Sequence, residues 1–93
     1  MNSIKMYDDD AIKLLALGNE EAFVHFFDRY QAAVFGTALE FSKSKERAKE
    51  IVEKVFLKVW QNHKHFNDVA ELEKFIRTTA TDVILDYLKK LKN

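Results

Sequence analysis

The chain has 93 residues, no cysteine, no proline and two glycines, and its 15 basic side chains balance 15 acidic ones. That length supports one hydrophobic core, and the missing thiols exclude a disulfide scaffold or a Cys-ligated zinc site. Scarce Gly and Pro, on which turns draw, argue against an all-β domain and for long helices joined by few loops. Apolar residues make up 47% and charged residues 32%, a globular balance. No apolar run approaches the roughly 18 residues that a membrane span needs. The polar, acidic start MNSIKMYDDD is unlike a signal peptide, so no membrane partner and a cytoplasmic location are expected.

The first helix is expected from about Asp8 to Leu17. Asp8, Asp9 and Asp10 favour the helix dipole at its start, and Gly18 ends it. Ile12 and Leu15, with Ala11 and Leu14, form its short apolar face; the three aspartates read as a solvated, capped start. Asn19 is placed as the N-cap of a second helix, with Glu20 and Glu21 in the first turn. Phe23, Phe26, Phe27, Tyr30, Val34, Ala38 and Phe41 recur at helical spacing and make this the central core element. Ser42-Lys43-Ser44 interrupts the pattern, and Ser44 is a serviceable N-cap although Arg47 supplies no acidic member of a capping box. A third helix then runs to about His63, its core stripe formed by Ala48, Val52, Val55, Phe56, Val59 and Trp60. After the polar connection His63-Lys64-His65-Phe66-Asn67-Asp68, a fourth helix begins at about Asp68 or Glu71 and continues to Leu91. Leu72, Ile76, Ala80, Val83, Ile84, Tyr87 and Leu91 form its inner face. The expected architecture is all-α: one compact four-helix domain over residues 1–93, a short helix followed by three longer ones.

Two outward faces stand out. At 100° per residue, Glu46, Glu50, Glu53 and Leu57 fall on one narrow stripe of the third helix, away from Val52. Arg47, Lys54 and Lys58 run beside it and could form ordinary i,i+4 pairs such as Glu50 with Lys54. An apolar Leu57 inside an acidic row instead fits a partner surface, where an apolar anchor sits within a charged rim. On the fourth helix, Lys74, Thr78, Thr81, Leu85, Lys89 and Lys92 gather opposite Ala80, a pattern able to hold phosphates but opposed by Asp82 on the same side.

Zero net charge argues against a stand-alone nucleic-acid binder, although residues 1–30 sum to −3, residues 31–62 to +2 and residues 63–93 to +1. Any nucleic-acid contact would rest on a local patch or on a larger assembly. The chain holds no phosphate loop, nucleophile elbow or zincin motif. His63-x-His65 lacks the third and fourth ligands of a metal site. The expectation is therefore a protein that is not an enzyme, with no catalytic residues, cofactor or metal.

Three blocks carry a resemblance. Leu14-Leu15-Ala16-Leu17-Gly18-Asn19-Glu20-Glu21-Ala22-Phe23, followed by Phe26-Phe27-Asp28-Arg29-Tyr30, resembles the opening of region 2 in extracytoplasmic-function (ECF) sigma factors. The stretch from Ala48 to Trp60 is similar to that family's AeDlvQevFlklW helix. Leu72-Glu73-Lys74-Phe75-Ile76 and Asp86-Tyr87-Leu88-Lys89-Lys90 resemble its last region 2 helix. The resemblance as a whole spans about residues 8–92, with the blocks in the family's order and spacing.

The resemblance implies a helical domain that docks on the β′ clamp helices of bacterial RNA polymerase core and captures the unwound non-template strand of the promoter −10 element. Docking would fall to Glu46, Glu50, Glu53 and Leu57. Strand capture would fall to the connection after the third helix and to the fourth helix: Lys64, Phe66, Asn67, Lys74, Arg77 and Thr81. Lys64 would meet phosphate, Phe66 would offer a flat surface to an unstacked base, and Asn67 could bond a base edge.

Departures from the family pattern weigh against strand reading. Its glutamine and following acid in the third helix are Glu53 and Lys54 here, its tryptophan in the last helix is Phe75, and its IarN is Thr79-Ala80-Thr81-Asp82. Asp82 repels phosphate. The alternative is a sigma-like interaction module that holds polymerase or an anti-sigma partner without reading DNA. The resemblance implies a region 4 helix-turn-helix that these 93 residues do not include, so the sequence reads either as a domain excised from a longer factor or as a stand-alone remnant, and the lysine-rich ending favours the first.

Overall fold

The computed structural model describes residues 6–91. Four α-helices form in the order the periodicity predicts: α1 (Asp8–Ala16), α2 (Glu20–Ser42), α3 (Lys45–Gln61) and α4 (Val69–Leu91). A short 3₁₀ turn, His63–His65, lies between α3 and α4, and the described residues contain no strand.

Local chemistry sets the helix ends. Gly18 takes the left-handed conformation at φ 84°, its N–H bonds the Leu15 carbonyl at 2.8 Å, and the Asn19 N–H bonds the Leu14 carbonyl at 3.0 Å. This is a Schellman closure of α1, and the glycine is what permits it. The Asn19 side chain accepts from the Ala22 N–H at 2.8 Å and so caps α2. Lys43 ends α2 in the left-handed region at φ 58°. Ser44 caps α3 by accepting from the Arg47 N–H at 3.3 Å. At α4, Asp68 Oδ1 accepts from the Glu71 N–H at 2.8 Å while Glu71 Oε1 accepts from the Asn67 N–H at 2.7 Å. With Asp68 as cap and the Glu71 side chain reaching back to the residue before it, α4 starts at Val69. Replacing Asn19 by alanine leaves an N–H of α2 without its cap, and the expected cost is about 1 kcal/mol. Thermal unfolding by circular dichroism should then fall by about 4–8 °C.

The core lies between α2, α3 and α4, with α1 laid across one end. Phe26, Leu15, Leu72, Val55 and Val59 are its largest fully buried side chains. Phe23, Phe27, Phe56 and Trp60 knit α2 to α3 with ring centroids 5.0–6.5 Å apart, mostly edge to face. The molecule is a slab of 45 × 31 × 17 Å, about two helix layers deep, so α3 and α4 each keep an uncovered face.

Three expectations about the core change. Ile51 and Thr79, absent from the expected stripes, are buried. Phe41 and Leu91, placed on apolar faces by spacing, are more than half exposed because each lies in the last turn of its helix. Phe66, expected on the surface, is buried.

The acidic start of α1 is also more than a solvated cap. Asp8 Oδ1 lies 3.0 Å from His25 Nε2, and its Oδ2 accepts from Arg29 Nη1. One carboxylate thus ties the first turn of α1 to two successive turns of α2. Expectations that fall on residues 1–5 and on Lys92 lie outside the described residues.

Candidate polymerase-binding and nucleic-acid surfaces

The buried stripe of α3 turns Ala48, Ile51, Val52, Val55, Phe56 and Val59 inward, which leaves the opposite flank free. Glu46, Glu50, Glu53 and Leu57 are all exposed on that flank, with Leu57 56% accessible. The ion pairs among the described residues join Asp8 to Arg29 and Lys90 to Asp86, and Asp8 also lies within hydrogen-bond distance of His25. None of the three glutamates is paired, and Glu50 and Lys54 do not come within ion-pair distance. Arg47 lays its guanidinium 5.2 Å from the Tyr87 ring centroid. The row therefore presents three carboxylates, unpaired among the described residues, leading to one apolar side chain at its C-terminal end. Such a surface is ready to accept hydrogen bonds from cationic groups on another protein.

The six residues expected to meet nucleic acid divide into three places. Lys64 and Asn67 are exposed on the connection between α3 and α4. Asn67 has its backbone N–H bonded to Glu71, which holds the residue while its amide side chain faces solvent. Lys74, Arg77 and Thr81 are exposed on α4. Phe66 is the correction: its side chain is only 5% exposed and meets Phe75 edge to face at 5.1 Å. It packs as a core residue that anchors the connection, and its ring is not on the surface where the sequence reading placed it.

Arg77 and Thr81 also line a groove of about 490 Å³ between α2 and α4, together with Tyr30, Ala33, Thr37, Glu73 and Ala80. Small side chains such as Ala33 and Ala80 leave the space between the two helices unfilled there. At one end the Tyr30 hydroxyl donates to Glu73 Oε2 at 2.6 Å. Burial, then the bond to Glu73 and its negative charge, push the phenol up to about 12. Tyr30 is therefore a neutral donor at physiological pH and a fixed link between α2 and α4. This pair joins residues 43 positions apart and leaves no local sequence signature.

The described residues contain no group of three or more His, Cys, Asp or Glu side chains able to hold a metal ion. His63 faces the Ala16 carbonyl, and His65 is exposed. Among the described residues, no helix is long and apolar enough to cross a membrane. Asp82 is exposed on the outer side of α4.

The family model for sigma-70 region 2 matches residues 26–93. No curated protein and no solved structure matches significantly. The matched range takes in α2 from Phe26 onward, the whole of α3 with its acidic row, the connection, and α4. With this match over an all-helical fold, the chain belongs to the sigma-70 region 2 family, a non-enzymatic part of transcription initiation factors that works with RNA polymerase and promoter DNA.

Proposed function

We propose that the domain is region 2 of an ECF-type sigma factor that docks on the β′ clamp helices of bacterial RNA polymerase core and holds the −10 non-template strand. The observation that carries this reading is the outer flank of α3, where Glu46, Glu50 and Glu53 form a row that ends at an exposed Leu57 and make no ion pair with another described residue. An apolar anchor within a charged rim suits a protein interface better than open solvent. Strand capture falls to Lys64 and Asn67 on the connection, with Lys74, Arg77 and Thr81 on α4. Phe66 supports these groups from beneath and makes no contact with a base. The reading places the domain in the bacterial cytoplasm, where polymerase is found.

The test is retention of the 93-residue chain by bacterial RNA polymerase core at low and moderate salt. Specific retention through the β′ clamp is the expected result. A Lys64→Ala, Asn67→Ala variant should then keep core binding but capture a single-stranded −10 non-template strand about tenfold more weakly in the assembled complex. That figure corresponds to one lost phosphate contact and one lost base-edge contact.

Two observations favour a second reading, a module that binds polymerase or an anti-sigma partner without reading DNA. Phe66 is buried, and Asp82 exposes a carboxylate beside Thr81. Core binding with no effect of the Lys64 and Asn67 substitutions selects this reading. A folded chain that core does not retain at either salt overturns both forms of polymerase docking.

A further inference from the structure

The connection between α3 and α4 is short, polar and exposed, yet two side chains fasten it. In a 3₁₀ turn, residues three apart lie on the same side. His63 and Phe66 have that spacing, and both face inward while Lys64 and His65 face out. Phe66 enters the core against Phe75. His63 goes to a different place, the C-terminal end of α1.

Its ring lies between Trp60 and α1. The centroids of Trp60 and His63 are 5.0 Å apart, and a methyl group on Gly18 would sit 3.4 Å from His63 Cε1. His63 Nδ1 lies 3.3 Å from the Ala16 carbonyl oxygen. The last carbonyls of a helix lack intrahelical donors. The Schellman bonds occupy those of Leu14 and Leu15, and the Ala16 carbonyl is left to His63. A carbonyl only accepts, so the ring carries its proton on Nδ1 and donates from there. Gly18 supplies both the left-handed turn and the space that the imidazole fills.

We propose that His63 is a positioning residue: it hangs the 63–67 connection on the C-terminus of α1, so that α1 sets the direction in which Lys64 and Asn67 face the DNA strand. The part played by Lys64 and Asn67 rests on the strand-capture reading above. The part played by α1 is independent of the family match, which begins at residue 26 and leaves α1 outside it. Through Asp8 and its partners His25 and Arg29, α1 is in turn fixed to α2. The connection is thereby referenced to the core from two sides, by Phe66 and by His63.

The test compares His63→Ala with His63→Asn in the full chain. Asparagine places its amide nitrogen where the imidazole Nδ1 stands and can restore the bond to Ala16. The first readout is amide hydrogen exchange at His65, whose N–H bonds the Asn62 carbonyl at 2.9 Å. Alanine should speed this exchange about tenfold, as expected for one lost hydrogen bond, with core amides such as Phe26 and Leu72 changing far less. Asparagine should hold it within about twofold of the native rate on the same grounds. The emission of Trp60, the one tryptophan in the chain, should shift in the alanine variant, since the ring against its indole is gone.

The second readout is capture of a single-stranded −10 non-template strand by the domain assembled with polymerase core. Alanine should lower capture about fivefold with core affinity unchanged, and asparagine should restore it. Unchanged exchange at His65, or equal acceleration throughout the core, overturns the positioning role. So does unchanged capture in His63→Ala when Lys64→Ala with Asn67→Ala lowers it. If the Lys64 and Asn67 substitutions also leave capture unchanged, the strand-capture reading fails, and positioning toward DNA fails with it.

Discussion

Glu50→Lys combined with Glu53→Lys should lower the affinity of the domain for RNA polymerase core by at least a hundredfold while the helices stay intact. The fold is indifferent to these side chains. Both are exposed, neither joins an ion pair among the described residues, and surface substitutions of this kind usually change stability by less than about 0.5 kcal/mol. At a docking surface the same change is severe. Two acceptors for cationic donors become two like charges, and losing one partner of a desolvated interfacial charge pair typically costs about 2–5 kcal/mol. A combined loss of about 3 kcal/mol is already more than a hundredfold. Salt and shape can be separated in the same assay. Leu57→Ala should weaken core binding about tenfold at every ionic strength, because it removes apolar area. The charge reversals should lose part of their effect as salt rises. Glu40→Lys makes one such charge reversal on α2, away from the row, and should leave affinity unaltered, whereas either Glu50→Lys or Glu53→Lys alone should lower it. Native helicity with undiminished core binding in the double variant would remove the α3 row from the polymerase surface.

The helices were legible because their ends are written locally. Asn19, Ser44, Asp68 and Gly18 each act within about four residues, and the structure uses all four as caps or stops. The inner faces were legible wherever a helix stays packed along its length. They failed at Phe41 and Leu91, where helical spacing continues into a last turn that the neighbouring helices leave uncovered. Ile51 was missed because the α3 stripe was drawn through Val52 alone, whereas a helix seated between two neighbours buries both residues of such a pair.

The acidic row was readable for the same periodic reason as the core: one angle fixes which residues share a flank. The strand-capture set was less readable, because a six-residue connection has no period. Whether Phe66 points in or out depends on the 3₁₀ turn and on Phe75, neither of which its own neighbours announce. Tyr30 with Glu73 and His63 with Ala16 join residues 43 and 47 positions apart, so only the packed chain reveals them.

Phe66 gives the clearest experiment on what the connection does. As a core residue, its replacement by alanine should destabilise the domain by about 3 kcal/mol, through lost burial and the cavity left beside Phe75. The unfolding midpoint should then fall by about 12–24 °C. Phe66→Leu keeps most of the buried volume and should cost no more than about 1.5 kcal/mol. A surface ring waiting for a base predicts the reverse order of effects. Its loss would leave stability nearly unchanged, and either substitution would lower strand capture by about 1–3 kcal/mol of base stacking. The leucine variant, held well below its unfolding midpoint, separates these cases. Capture of the −10 strand within about twofold of the native domain is expected, since less than about 0.5 kcal/mol is at stake for a side chain that never meets the base. A leucine variant of native stability with tenfold weaker capture would instead place the ring on the nucleic acid. The connection would then have to open in the complex and release Phe66 from Phe75.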